Sequence, residues 1–143
     1  MRTFLCLASV VFVPGLLTVA AQQPITSVAS VRQLHDAMIK PSSDALFNVA
    51  IEAPGGDEAW IVVRSAAVIL TESGNLLMLR PPAKDRGLWM KRSRSLVDAG
   101  AMALKAADAR DAEALNKASD RTVIVCESCH VIFRNQVRKV PVK

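Results

Sequence analysis

Residues 126–134 read Cys-Glu-Ser-Cys-His-Val-Ile-Phe-Arg, and this segment decides how the rest of the chain is interpreted. Side chains at positions i, i+3 and i+4 of a helix project from one face. Cys126, Cys129 and His130 have these offsets. A helix through this segment would therefore present two thiols and one imidazole together, on a single turn.

The Cys-x-x-Cys-His pattern is typical of covalent c-type haem attachment. The two thiols add to the two vinyl groups of one haem, and the imidazole of the same turn ligates the iron. We therefore expect one haem c, attached through Cys126 and Cys129, with His130 as the proximal axial ligand. A thioredoxin-like Cys-x-x-Cys normally follows a strand in a βαβ pattern, and none is visible. A structural zinc site needs four ligands, and His35 is the only other His or Cys once a signal peptide is removed.

The N-terminus has the pattern of a secretory signal. Arg2 precedes an apolar run over 5–19, and small residues follow. The run is short for a membrane span, which needs about 20 apolar residues, and a Pro-Gly pair interrupts it. The pattern predicts a cleaved signal peptide over 1–21 and export to the periplasm, without a stable membrane anchor. Cys6 would leave with the signal, so no cysteine remains to form a structural disulfide with the motif.

The formal net charge of +5 favours an acidic protein as redox partner. The chain has no Tyr and shows no basic stripe interleaved with stacking residues, so nucleic acid is not the expected partner. The basic tail has two interpretations: it complements the dipole at the end of a helix, or it forms a docking patch. Its members are Arg134, Arg138, Lys139 and Lys143.

Apolar residues recur at helical spacing in four segments. We expect the first helix to kink or restart at Pro41, with Ser42 or Ser43 as a cap. The second segment contains two β-branched runs that are compatible with strands, but its length favours a buried helix. The approximate bounds are 27–53, 58–79, 83–109 and 111–139.

The join between the third and fourth segments lacks Gly and Pro, and only Asp108 and Asp111 suggest a cap. One continuous helix is the alternative, but a helix of that length would leave its apolar face in water. Four amphipathic helices with short connections predict an all-α fold, an antiparallel up-down four-helix bundle. Residues 22–143 would form this single domain, with the haem near the C-terminal helix.

The motif lies near the end of the chain, and neither Met nor His follows His130. A helical bundle with Cys-x-x-Cys-His in its last helix resembles the class II c-type cytochromes, the cytochrome c-prime family. Residues 126–134 are similar to the family's typical run, with an aromatic residue and an arginine just after the haem histidine. The layout is similar over nearly the whole mature chain, while the specificity comes from this one segment. Dimers are common in the family, so the resemblance also allows a homodimer.

The sixth iron position is the main open question. If the first helix is antiparallel to the last, the level of His130 corresponds to about residue 36, given a common rise per residue. Both Met38 and His35 lie near this level, and level alone does not decide between them. In the family the sixth position is either open or filled by a first-helix Met, so the resemblance favours Met38. A core role for Met38, ligation by His35 and an open site remain alternatives. Met78 and Met90 are also near this level, while Met102 is about two turns away.

Neighbours of the haem can be expected on the same helix. Phe133 lies one turn after His130 and is expected to pack on the haem or in the bundle core. Arg134 is a candidate partner for a propionate, or a solvated residue of the helix end. Some family members carry an arginine one turn before the distal position; Leu34 stands there in this chain and Arg32 is offset. Two tryptophans are haem neighbours or core residues, Trp60 and Trp89.

The occupant of the sixth iron position decides the expected function. With Met38 bound to the iron, no ligand needs to enter or leave, and the chain would carry single electrons between redox partners. With the sixth position open, it would bind a small gas such as NO or CO. No acid–base pair or nucleophile triad argues for an enzyme. The alternatives from other classes are a thiol redox enzyme that uses Cys126 and Cys129, and a purely structural bundle.

Overall fold

The computed structural model describes residues 25–26, 28–49, 51–82 and 84–138. Within these residues every regular element is a helix, and there is no strand. The first helix, α1, is a composite of an α-helical turn, a π-helical turn and a second α-helical segment. Their bounds are Val31–Leu34, His35–Ile39 and Lys40–Asn48. The other three helices are α2 (Asp57–Met78), α3 (Arg86–Asp108) and α4 (Ala112–Arg138).

The all-helical class predicted from the sequence is confirmed, and the β-branched runs of the second segment belong to a helix. Asp57 is the first residue of α2, and Gly56 precedes it as the N-cap without a side-chain hydrogen bond. The predicted signal peptide over 1–21 lies outside the described residues. So do two residues of the basic tail, Lys139 and Lys143.

The start of α1 is fixed by a capping box. The backbone N–H of Gln33 donates to the Ser30 hydroxyl over 3.2 Å, and the backbone N–H of Ser30 donates to the Gln33 side chain over 2.8 Å. These bonds satisfy donors that a helix N-terminus otherwise leaves without a partner. The helix therefore begins at Val31, a few residues later than the sequence pattern suggests.

Pro41 does not end the helix. Proline has no N–H to donate, and its ring crowds the carbonyl four residues earlier. The chain accommodates this with the π turn, in which the Lys40 N–H donates to the carbonyl of His35. The expectation of a restart capped by Ser42 or Ser43 was wrong. Both serines are buried within the continuing helix, and the Ser43 hydroxyl donates to the Lys40 carbonyl over 3.0 Å.

Helices α2 and α3 touch backbone to backbone at two glycines. A Cβ added at Gly74 would lie 2.7 Å from a methyl carbon of Val97 and 2.9 Å from the carbonyl oxygen of Ser93. A Cβ added at Gly100 would lie 2.7 Å from the backbone nitrogen of Thr71. Real Cβ atoms do not approach other atoms so closely, so only glycine permits this contact. We call it the glycine seam.

The predicted break between the third and fourth helices is confirmed. Arg110 adopts a left-handed conformation, with φ of 52°. Its N–H donates to the Ala107 carbonyl over 3.1 Å, and the Asp111 N–H donates to Ala106 over 3.0 Å. These two bonds form a Schellman motif, which ends a helix. Asp111 then caps α4 by accepting a 2.9 Å bond from the N–H of Ala114.

The packing is uneven around the molecule. Helix α3 packs extensively on α2 and α4, whereas α1 packs on α2 and more lightly on α4. The fully buried core side chains include Leu46, Leu70, Leu115 and Phe133. The lighter contact leaves a groove beside α1 and α4, over the core.

Helix α2 is the one helix, among the described residues, that is long and apolar enough to cross a membrane by length and composition alone. Core helices of soluble proteins and signal sequences share this property. The buried residues of α2, among them Ala67, Leu70 and Leu77, belong to the common hydrophobic core.

Candidate functional site

The groove has a volume of about 220 Å³, and all four helices contribute to its lining. Its apolar floor comes from different helices: Ile39 from α1, Leu77 from α2, Leu96 from α3 and Val125 from α4. Ligand pockets commonly hold about 300–1000 Å³. A large flat ligand would therefore need the helices to separate, or would keep one edge in solvent.

The three residues of the sequence motif line this groove from α4. Cys126 and Cys129 are half-buried free thiols, and His130 is more exposed. The helical offsets of the motif thus place all three residues on the groove face, as the sequence predicts. Phe133, one turn further along α4, is buried on the same face.

Both thiols are held in their neutral form. Burial, and then the negative charges of Cys129 and Glu127, raise the pKa of the Cys126 thiol to about 11. Burial also raises the pKa of Cys129, although the Arg92 guanidinium opposes this shift. A thiolate is the reactive form in disulfide exchange, and redox-active cysteines have lowered pKa values. The environment of this pair is therefore unlike that of a reactive dithiol.

The imidazole rings of His35 and His130 face each other across the groove. Their centres are 5.7 Å apart, and their planes are tilted by 54°. Nδ1 of His35 lies 3.2 Å from a carboxylate oxygen of Asp36, and Nε of Arg32 lies 3.3 Å from the other oxygen. The hydrogen bond with His35, helped by the charge of Arg32, lowers the pKa of Asp36. The Asp36 carboxylate thus contacts both His35 and Arg32 at this end of α1.

Burial lowers the pKa of His130, and the charges of His35 and Arg134 add to this effect. The lowered pKa favours the neutral imidazole. Only the neutral ring has a free nitrogen lone pair, which a metal ligand requires. The position of His130 is therefore compatible with its predicted role as an axial ligand.

The structure separates the two candidates for the sixth ligand. His35 lines the groove, whereas Met38 does not belong to its lining and is partly buried against the hydrophobic core. Both residues lie in the same π turn, so they share a level but not a direction. Ligation by Met38 stays a prediction, and the residue that the structure brings to His130 is His35.

Phe133 and Arg134 lie in the two positions that the sequence suggested. Phe133 belongs to the hydrophobic core, which was one of its two expected roles, and it also lines the groove, while its packing on a haem stays a prediction. Trp89 of α3 packs against it, while Trp60 is partly buried elsewhere against the core. Arg134 is exposed at the groove, as is Arg32 of α1.

Arg92 of α3 is a groove residue that the sequence interpretation missed. Its Nε is fully buried and, in the part of the chain that the structure describes, has no hydrogen-bond partner. A buried donor without a partner costs free energy, about 1–3 kcal/mol, and more when the group is charged. A signal was present, since Arg92 interrupts the apolar stripe that Trp89, Leu96, Ala99 and Ala103 form at helical spacing.

These residues fit a haem. The walls are apolar, two thiols and a neutral imidazole project from one helical turn, and three arginines lie at the groove. The unpartnered Nε of Arg92 is the kind of donor that a propionate oxygen would accept from. No protein-family model, no curated protein and no solved structure matches the chain, so the assignment depends on these residues alone.

Proposed function

We propose that the chain is a mono-haem c-type cytochrome that carries single electrons between redox proteins in the periplasm. The observation that carries the proposal is the placement of Cys126, Cys129 and His130 together on the wall of one apolar groove. Bound haem would supply the one-electron couple. The protein would supply the ligand, the apolar surroundings and the counter-charges.

Each group has a role in this proposal. Cys126 and Cys129 would hold the haem through two thioethers, and His130 would ligate the iron. Phe133 would pack against the macrocycle and exclude water from one side. Arg92 and Arg134 would pair with the propionates, one from the buried side and one from the exposed side.

The finer architecture also belongs to the proposal. We infer an antiparallel up-down bundle of the cytochrome c-prime kind. Its support is the connectivity: short links join consecutive helices, and α1 packs on both α2 and α4. The opposition of His35 on α1 and His130 on α4 agrees with the level expected for antiparallel first and last helices.

The charges at the groove also suggest how a redox partner protein would be recognised. Arg32 and Arg134 are exposed at its mouth, near the site where a haem edge would reach solvent. Positive charge at a rim steers the encounter with an acidic surface, and its effect falls with ionic strength. We therefore infer an acidic redox partner.

The test is covalent haem attachment. The full chain would be expressed with its signal and with a c-type haem-attachment system, and haem would be detected after denaturing electrophoresis. We expect one haem per chain in the wild type, and no covalently retained haem in the double variant Cys126→Ser/Cys129→Ser. Cys6→Ser changes the chain's third cysteine and should leave the haem content unchanged. A colourless wild-type chain would contradict the proposal, and free redox-active thiols would favour the thiol enzyme.

A further inference from the structure

The chain has two histidines, and the structure brings both to one groove. We propose that His35 is the second axial ligand, so that the haem is held between His35 and His130. The inference rests on the proposed function, because it assigns the sixth position of the haem that the function requires. It also replaces the expectation that Met38 ligates the iron.

The separation of the rings suits one metal ion between them. The ring centres of His35 and His130 are 5.7 Å apart. An imidazole nitrogen lies about 2 Å from a bound metal, so two rings on opposite sides of one ion have centres roughly 6 Å apart. The observed separation is slightly shorter than this value, so α1 would move outward when one iron is held between the two rings.

The backbone at His35 supports the assignment. His35 is the first residue of the π turn, and its carbonyl accepts the bond from Lys40 that defines the turn. A π turn adds a residue to a helical turn, so it changes which side chains face a neighbouring helix. Such turns occur frequently at functional sites. Here the turn leaves His35 in the groove and Met38 against the core.

The second nitrogen of His35 has a partner. Nδ1 lies 3.2 Å from a carboxylate oxygen of Asp36, which in turn pairs with Arg32. A histidine that ligates a metal commonly donates its other N–H to a carboxylate, and this bond fixes the ring and raises its basicity. The arrangement leaves Nε2 as the ligating atom and makes Asp36 a positioning residue.

The test uses the haem-loaded full chain and reads the spin state by absorption and electron paramagnetic resonance. We expect a low-spin wild type that lacks the sulfur-to-iron charge-transfer band of methionine ligation and does not bind CO. Met38→Leu should keep this spectrum. His35→Ala should become high-spin and bind CO, and added imidazole should restore the low-spin spectrum.

The reduction potential gives a second readout. Methionine as an axial ligand raises the potential relative to histidine. His35→Met should therefore remain low-spin and shift the potential upward. Asp36→Asn should keep two histidine ligands and shift the potential upward to a smaller extent, because His35 becomes a weaker donor.

The outcomes separate this inference from the proposed function. A wild type with covalent haem whose low-spin spectrum is lost in Met38→Leu would overturn the assignment of His35 and leave the cytochrome standing. A wild type that is high-spin and binds CO would also overturn it, in favour of a gas-binding site. A chain without covalent haem would overturn both. Should His35→Ala fail to fold, the wild-type and Met38→Leu spectra still decide.

Discussion

The indole ring of Trp89 stands edge-on to the phenyl ring of Phe133, with ring centres 5.0 Å apart and planes at 86°. Its Nε1–H also donates a 2.8 Å hydrogen bond to the carbonyl of Leu77, near the end of α2. Trp89 thus joins three helices at the floor of the groove. Edge-to-face pairs of this kind add about 0.5–1.5 kcal/mol to the burial of the rings.

The hydrogen bond of Trp89 can be tested by itself. Trp89→Phe keeps an aromatic ring but removes the indole donor, and the Leu77 carbonyl then keeps only its 3.1 Å bond from the Arg80 N–H. The loss of one buried hydrogen bond should cost about 0.5–1.5 kcal/mol in the free energy of unfolding. Urea unfolding followed by circular dichroism measures this loss. Trp60→Phe is the matched control, since Trp60 is only partly buried, and its cost should be smaller. Equal losses would show that the bond to Leu77 contributes little.

The glycine seam predicts a strong contrast between two glycines of one helix. Gly100→Ala places a methyl group against the backbone of Thr71 and should lower the free energy of unfolding by about 1–3 kcal/mol. Gly87 lies in the first turn of α3, where an added Cβ would meet nothing within 4 Å. Gly87→Ala should stabilise the helix by about 0.5–1 kcal/mol. Thermal unfolding of both variants checks the contrast, which similar melting temperatures would contradict.

Arg92, whose Nε is buried without a partner among the described residues, should act differently in the haem-free and haem-loaded protein. Arg92→Met removes a buried donor that has no partner, so the haem-free protein should be unchanged or more stable by about 1 kcal/mol. In the haem-loaded protein the same change removes a positive charge beside the propionates. The reduction potential should then fall, because the oxidised haem carries the extra positive charge.

The control for Arg92 is Arg94→Met, on an exposed position of the same helix. It should leave both the unfolding free energy and the potential nearly unchanged. Redox titration and urea unfolding are the two measurements. A potential that responds equally to both substitutions would argue against contact between Arg92 and a propionate.

The raised pKa of Cys126 predicts that the free energy of unfolding depends on pH. Haem attachment should abolish this dependence. Its pKa is raised from an ordinary 9.0 to about 11 in the folded chain, because burial disfavours the thiolate. The folded state therefore holds a proton that the unfolded state releases. The retained proton contributes to the free energy of unfolding below pH 9.0. This contribution is lost as the pH rises through 11, by an amount on the order of 2 kcal/mol.

Unfolding of the reduced, haem-free protein between pH 8 and about 11 measures this loss. Cys126→Ala should make the step smaller, since it removes one titrating thiol, and Cys126→Ala/Cys129→Ala should remove the step, because the pKa of Cys129 is also raised. With haem attached the sulfur is a thioether without an acidic proton, so the Cys126 step should be absent there too. A step that persists in the double alanine variant would assign the titration to other groups.

The sequence predicted which side chains of α1 lie at the level of His130, but not which of them faces His130. A constant rise per residue placed both His35 and Met38 opposite His130. The direction of a side chain depends on the rotation of the helix, and the π turn over His35–Ile39, just before Pro41, changes that rotation in mid-helix. The presence of Pro41 signalled a disturbance, but not whether the helix would stop or widen. That His35 rather than Met38 lines the groove was therefore seen only in the three-dimensional structure.

Other features of the site depend on contacts between separate helices. Cys126, Cys129 and His130 could be placed together because a single helical turn holds them. Arg92 joins them only through the packing of α3 against α4, which no local pattern encodes. The glycine seam is similar, since a glycine within a helix does not indicate which neighbouring helix will pack closely against it.

The glycine seam also has a consequence for the order in which the protein is assembled. Helices α2 and α3 fit together without an inserted group, so this pair can dock before any haem arrives. The groove opens where α1 packs lightly on α4. If the chain is exported and receives haem as proposed, we expect α1 to stay undocked while the motif on α4 is still accessible to the attachment machinery. Helix α1, which is synthesised before the other three helices described, would then be the last to take its place, and haem insertion would be the event that closes the bundle.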